Sequence, residues 1–345
     1  MRLRELHKGL KAAYRGSDVA HRVRRFHGWS DRASAAEVRA SDYDHAETVE
    51  EYYDLCSEFM VFGWGESLHF APLAPHESLE ESKIRHQRLM IAKLELTEGM
   101  TVIDVGCGIG GPMRRLVREA GVRVAGVNRS KIQLDKAKAL NAEAGLEHMV
   151  DYLEASFMDM GAFADATFDR GYAIESTCHA PDKVGAFAEI HRVLKPGALF
   201  WGQEMCMTDK FDSEDPRHRT IKQDLMHGIA LKDIATTDEV DRALATAGFE
   251  VIEGVDRAVD ENSAVTPWYL PMDTPHRRGG NALRRIPMGR RAIVWASSLA
   301  EATRVLPKGS SDVIKLLDQT AKALVEGGST GLFTPLYCFL ARKPL

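Results

Sequence analysis

Long hydrophobic runs are missing from this 345-residue chain. The longest apolar stretches, 292–296 and 197–201, fall far short of the roughly 18 to 20 residues that cross a bilayer, which excludes a membrane-spanning helix. Cysteine is scarce. Its five copies, Cys56, Cys107, Cys178, Cys206 and Cys338, stand singly without a C-x-x-C pair, so neither a disulfide framework nor a cysteine zinc cluster is expected. A reducing, cytoplasmic compartment fits. No apolar core follows the Met-Arg-Leu-Arg start, so no secretory signal is expected, although the arginines leave a transit peptide open. Neither sign of charge dominates. With 45 Lys+Arg against 50 Asp+Glu, net −5, and 44% hydrophobic residues, the composition is that of a globular chain of one enlarged or about two ordinary domains.

What charge there is lies unevenly. Residues 1–30 carry net +6, whereas 41–60 hold seven acids and no Lys or Arg. Leu3, Leu6, Leu10 and Tyr14 recur at helical spacing among basic residues, which predicts a short basic amphipathic helix within a helical segment over 1–45. Such a helix suits either an anionic membrane surface or docking on the main domain.

From residue 100 short apolar runs alternate with helical segments, the pattern of β-α units around a parallel sheet. Strands are expected at 101–105, 123–127, 151–154, 168–174 and 198–204, with helices at 113–120, 131–144 and 183–194. The last helix should stop at Lys195-Pro196-Gly197. Further strands are expected at 249–255 and 334–341. The insertion between them, roughly 256–330, is the natural place for a substrate cap. The division expected is 1–45, a core over 46–210, and a C-terminal domain over 211–345.

The strongest local signal runs from Asp104 through Gly106, Cys107, Gly108 and Gly110 to Gly111-Pro112. The glycines permit a tight turn and close approach of a ligand, and the following helix N-terminus offers free N–H groups. Similar turns serve dinucleotides, but the acidic Asp104 is placed to pair with an ammonium, which points to S-adenosylmethionine (SAM). At the end of the second strand Asn128, with Gln133 one turn into the next helix, can bond ribose hydroxyls. After the third strand Ser156 and Phe157 are the adenine candidates.

Together with three further stretches, these residues resemble the sterol C24-methyltransferase family of SAM-dependent enzymes. The stretch from Tyr52-Tyr53 to Phe62-Gly63-Trp64-Gly65-Glu66-Ser67-Leu68-His69-Phe70 looks like its aromatic sterol signature, and Tyr172-Ala173-Ile174-Glu175-Ser176-Thr177-Cys178-His179-Ala180-Pro181 matches a second signature almost letter for letter. Thr266-Pro267-Trp268-Tyr269-Leu270-Pro271 and Leu332-Phe333-Thr334-Pro335 are similar to its C-terminal sterol domain. The resemblance covers about residue 42 onward. It implies an α/β fold: a Rossmann-like SAM methyltransferase sheet with an N-terminal helical segment and a C-terminal α+β sterol-binding cap. The chain departs from the family at Met60-Val61-Phe62, where Tyr-Glu-Tyr is usual, at Ala155-Ser156 and at Glu66. These departures bear on which sterol is preferred.

The resemblance implies methylation of a side-chain alkene, then a hydride shift and loss of a proton. An alkene needs no base to attack, but the resulting cation needs faces that attract it without reacting. Tyr53, Phe59, Phe62, Trp64, Phe70, Trp268 and Tyr269 are the candidates for binding the substrate. His69 and Glu204 are the first candidates for the terminal base, with Glu175 and His179 as organisers and Glu66 as a further titratable group. No metal site is expected. The sterol would be drawn from a membrane by peripheral contact, helped by the basic N-terminus and by six arginines without an acid over 275–299. Nucleic acid is not an expected partner, and a homo-oligomer is compatible with the sequence. The rival readings are methylation of another lipid, such as a linear triterpene, tocopherol or a phospholipid headgroup, and a non-catalytic sterol carrier.

Overall fold

The computed structural model describes residues 3–34, 45–259, 266–273 and 287–345. Its contacts divide the chain into two compact units, each assembled from three separate stretches rather than from consecutive blocks. One comprises 66–209, 235–266 and 334–345; the other comprises 1–65, 210–234 and 267–333. The segments 1–45 and 211–345, read from sequence as separate regions, thus both contribute to the second unit, because the helices of each pack into one core.

The first unit is built on a seven-stranded sheet in the order β3-β2-β1-β4-β5-β7-β6. The strands are β1 (Thr101–Val105), β2 (Arg123–Asn128), β3 (Val150–Glu154), β4 (Phe168–Ile174), β5 (Leu194–Met207), β6 (Glu250–Asp256) and β7 (Phe333–Arg342). β1 to β5 pair in parallel and β7 runs antiparallel to β6. All seven strands expected from the sequence are present. Parallel strands covered on both faces read as continuous apolar runs, and their side chains split between two cores by the pleat. Val102, Tyr172, Trp201 and Leu340 fall in one core, while Ile103, Ala173, Phe200 and Phe339 fall in the other.

The helices of this unit begin where the sequence supplies caps. α4 (Leu79–Lys93) starts with a capping box of Ser78 and Glu81, and α9 (Thr237–Thr246) with one of Thr236 and Glu239. α5 (Gly111–Ala120), α6 (Lys131–Glu143) and α7 (Lys183–Val193) fill the crossovers. Lys195-Pro196-Gly197 does not lie beyond a helix end in a loop, as expected, but inside β5. The β4–β5 register jumps there, from Phe168↔Leu194 to Arg170↔Leu199, so Pro196 sits in a bulge where no ladder N–H is needed.

The second unit is helical. It contains α1 (Leu3–Ala13), α2 (Val19–Ser34), α3 (His45–Trp64), α8 (Pro216–Gly228), α10 (Leu270–Asp273), α11 (Pro287–Ala302) and α12 (Ser310–Thr330). Leu6 and Leu10 of α1, with Tyr14 just after it, are buried in one core with Tyr52, Leu55 and Phe59 of α3, and the Tyr14 hydroxyl donates to Leu55 O at 2.6 Å. The apolar face of α1 is therefore occupied by protein, which favours the docked reading of this helix over the membrane one.

Gly202 marks the tightest seam of the sheet, since a Cβ there would come within 2.1 Å of the Phe339 ring. Gly202→Ala is expected to cost about 2 kcal/mol by overpacking. Calorimetry should show this as a fall in Tm of several degrees, partly recovered by Phe339→Leu.

Candidate active site

The glycine turn joins β1 to α5, and its geometry follows from the residues present. Gly106, Gly108 and Gly110 adopt φ of 90°, 52° and 73°, a region that side chains disfavour. A Cβ on Gly106 would stand 2.3 Å from Ser176 Cβ. The amides of Gly106 and Cys107 both donate to Val127 O, at 2.9 and 3.0 Å, fastening the turn to β2. Cys107 packs where Gly126 has no side chain, and burial holds its thiol well above the usual range. No side chain caps α5, so its first N–H groups are left for a ligand.

Asp104 stands at the end of β1, 2% exposed, and accepts a hydrogen bond from the Tyr172 hydroxyl at 2.6 Å. The parallel register pairs these two residues directly. Burial raises the Asp104 carboxyl to about 7, only partly offset by the phenol. A buried carboxylate beside a glycine turn is short of one cation, which the ammonium of a methionine moiety would supply. Asn128 Nδ2 donates to Gln133 Oε1 at 2.8 Å, so the two ribose candidates are neighbours. Ser156 Oγ accepts from Met158 N at 3.1 Å, and Phe157 is half-buried against the sheet core.

A second group of predicted residues forms one buried polar network. His69 Nδ1 donates to Phe70 O at 2.7 Å, and its Nε2 accepts from Gln87 Nε2 at 2.9 Å. Burial, then the neighbouring His86, lowers the His69 imidazole to about 3, so it is neutral. Glu175 Oε1 accepts from Phe70 N and from Gln203 Nε2, each at 2.6 Å. Burial raises its carboxyl to about 8. Gln203 Oε1 accepts from His86 Nε2 at 2.7 Å, which closes the network. Glu175 has a φ of 51°, a strained setting for a residue with a side chain.

The other acids are placed apart from this network. Glu204, fully buried, pairs with Lys183 Nζ at 3.1 Å and accepts from the Thr177 hydroxyl, so its charge holds the turn 177–179. His179 lies in that turn, its amide bonded to Ser176 O at 3.0 Å. Glu66 pairs with Arg114 at 2.9 Å, whose Nη1 also donates to Ile109 O. In the helical unit Tyr53, Phe59, Phe62 and Trp64 lie on α3, with Phe59 buried and the others half-buried. Trp268 and Tyr269 meet edge to face with centroids 5.7 Å apart, seated over Gly328, where a Cβ would come within 2.5 Å of Tyr269. Phe70, by contrast, belongs to the sheet unit.

Sequence reasoning assigned no role to Tyr172, Gln203, His86 or Arg114. A signal existed for one of them. Gln203 and Glu204 are two adjacent polar residues in the otherwise apolar run 198–207, which marks a buried polar site.

The model described as a methyltransferase domain matches residues 103–202, and that described as sterol methyltransferase C-terminal matches 281–345. The cycloartenol-C-24-methyltransferase of Arabidopsis thaliana is 43% identical over 92% of this chain and 91% of its own length. The sterol 24-C-methyltransferase of Saccharomyces cerevisiae is 37% identical over 93% of this chain and 84% of its own. The chain belongs to the sterol 24-C-methyltransferase family. Membership of this SAM-dependent family and the fit of the turn make S-adenosylmethionine the cofactor. The cyclopropane synthase MmaA2 from Mycobacterium tuberculosis, 21% identical with a TM-score of 0.67, covers 87% of this chain with 99% of its own and shows the same fold. Among the described residues no helix is long and apolar enough to cross a membrane. Among them, too, no three His, Cys, Asp or Glu side chains are grouped to hold a metal ion.

A carboxyl raised to about 7 binds its proton more tightly folded than unfolded, so apo stability should fall as pH rises from about 4 to 7. Asp104→Asn should flatten that decline in Tm. It should also weaken SAM about 30- to 100-fold by calorimetry, since a buried charge pair is lost.

Proposed function

We propose that this chain transfers the methyl group of S-adenosylmethionine to C24 of a Δ24 sterol side chain. One observation carries the reading: a methyltransferase domain and a sterol methyltransferase C-terminal region match the same chain. The cofactor supplies an electrophilic methyl group on a sulfonium whose thioether then leaves. Asp104 would hold the ammonium, Asn128 and Gln133 the ribose, and Ser156 and Phe157 the adenine, which would fix the cofactor in place.

The alkene π electrons form the new carbon–carbon bond and leave a tertiary cation, onto which a neighbouring hydride migrates before a proton is lost. Aromatic faces attract such a cation through their ring quadrupoles, worth about 0.5 to 2 kcal/mol each, and among the aromatic candidates Trp64 on α3 is the one whose loss tests this. A proton beside a carbocation is strongly acidic, so a weak base is enough to remove it. Neutral His69 fits this demand. Glu175 orients His69 through the Phe70 backbone, and Glu204, paired with Lys183, fixes the turn carrying His179. The substrate would be taken from a membrane by peripheral contact.

The purified chain, given methyl-labelled SAM and a panel of Δ24 sterols, a linear triterpene, tocopherol and a phospholipid, should label the side chain of a sterol, read by mass spectrometry. Label on another lipid alone would overturn the sterol assignment. Trp64→Ala should lower kcat/KM about tenfold with SAM affinity unchanged, the loss of one strong cation contact. His69→Gln should lower kcat by at least about a hundredfold, the usual scale of a positioned base, again with SAM affinity retained.

A further inference from the structure

Helix α11 is turned inside out. Three of its polar side chains point to the protein: Arg290 pairs with Asp318 at 2.7 Å, Ser297 is buried, and Glu301 accepts the amides of Gly309 and Ser311, both at 2.9 Å. Its large apolar side chains point out. Met288, Trp295 and Leu299 are 78%, 71% and 54% exposed. Together with exposed Ala292 they fall within a fan of about 60° at 100° per residue, a stripe about 16 Å long. Val305, 59% exposed, follows directly after the helix.

Basic residues flank this stripe. Arg291 on the helix and Arg304 after its end are exposed, Lys308 acts on Asp18 instead, and the one acid of segment 287–309, Glu301, is engaged on backbone amides. A tryptophan and aliphatic side chains on one exposed helix face, with exposed Arg291 on the same helix, match the boundary between lipid headgroups and chains. A second copy suits the face less well. The stripe offers less than the about 800 Å² per partner that a stable dimer buries, and two-fold pairing would bring its cations together.

We propose that the outward face of α11 docks on an anionic lipid surface, with Met288, Trp295 and Leu299 entering the interface and Arg291, with Arg304 just after the helix, meeting the headgroups. Docking is independent of which lipid is methylated, because it is read without turnover.

The test is co-sedimentation of the full chain with vesicles of phosphatidylcholine alone and of phosphatidylcholine with phosphatidylserine. Wild type should bind the phosphatidylserine vesicles more tightly, and less so at high salt. The triple change Met288→Ser, Trp295→Ser, Leu299→Ser should weaken binding to both by at least about tenfold. Arg291→Glu with Arg304→Glu should weaken binding to anionic vesicles alone, by about fivefold per side chain. An unchanged far-UV circular dichroism spectrum and Tm show that each variant is folded. Equal vesicle binding by wild type and the triple variant overturns the proposal. So does wild-type self-association that the triple variant abolishes without change in vesicle binding, which would assign the face to a second copy.

Discussion

A carboxyl group buried at the end of a parallel strand constrains the rest of the sheet unit. Asp104 lies where both faces of the sheet are dry, held by one phenol and lifted to about 7. Its neighbours follow from that placement. Glycines must turn the chain beside it, since a Cβ at Gly106 would strike Ser176, and α5 must begin without a side-chain cap. Burial that is unfavourable in the empty protein becomes affinity once a cation arrives, because the same low dielectric strengthens the pairing.

The signature around Glu175 combines strain with polar bonding. Its left-handed backbone is held by Ser176 bonded to Val105 O, by Thr177 bonded to Glu204, and by its own carboxyl on Phe70 N. The segment that follows β4 is therefore tied at once to β1, to β5 and to the stretch carrying His69. Buried hydrogen bonds of this kind stabilise modestly when complete and cost much more when one partner is removed. Rigidity is their contribution, which suits a site that must hold reacting atoms within a fraction of an ångström.

How much of this was legible varies with the range of the interaction. All seven strands and the glycine turn are local patterns of period and composition, and they stand close to where the sequence puts them. Pro196-Gly197 misleads because a bulge needs the same residues as a loop. The Asp104–Tyr172 bond depends on the β1–β4 register and the His86–Gln203 bond on packing between distant residues, neither of which a single sequence reveals. Glu66 and Glu204 were read as candidates for chemistry, yet each is bound to a cation, Arg114 or Lys183, supplied from elsewhere in the chain. The six arginines over 275–299 divide in the same way. Arg290 faces Asp318, Arg291 faces outward, and Arg277, Arg278, Arg284 and Arg285 lie outside the described residues. The insertion was expected only as the place for a cap; its helices, and the apolar face that one of them shows outward, were not anticipated.

The position of β7 bears on how the protein is made. It lies between β5 and β6 in the sheet, yet it is the last of the seven strands to leave the ribosome, more than a hundred residues after β5 ends. Until it emerges, the nascent sheet stops at β5 with an open edge, and β6 has nowhere to pair. Such an edge is adhesive, and closing so long a loop is slow. The chain thus spends much of its synthesis one strand short of a finished core, a period in which a chaperone that covers strand edges would decide its yield.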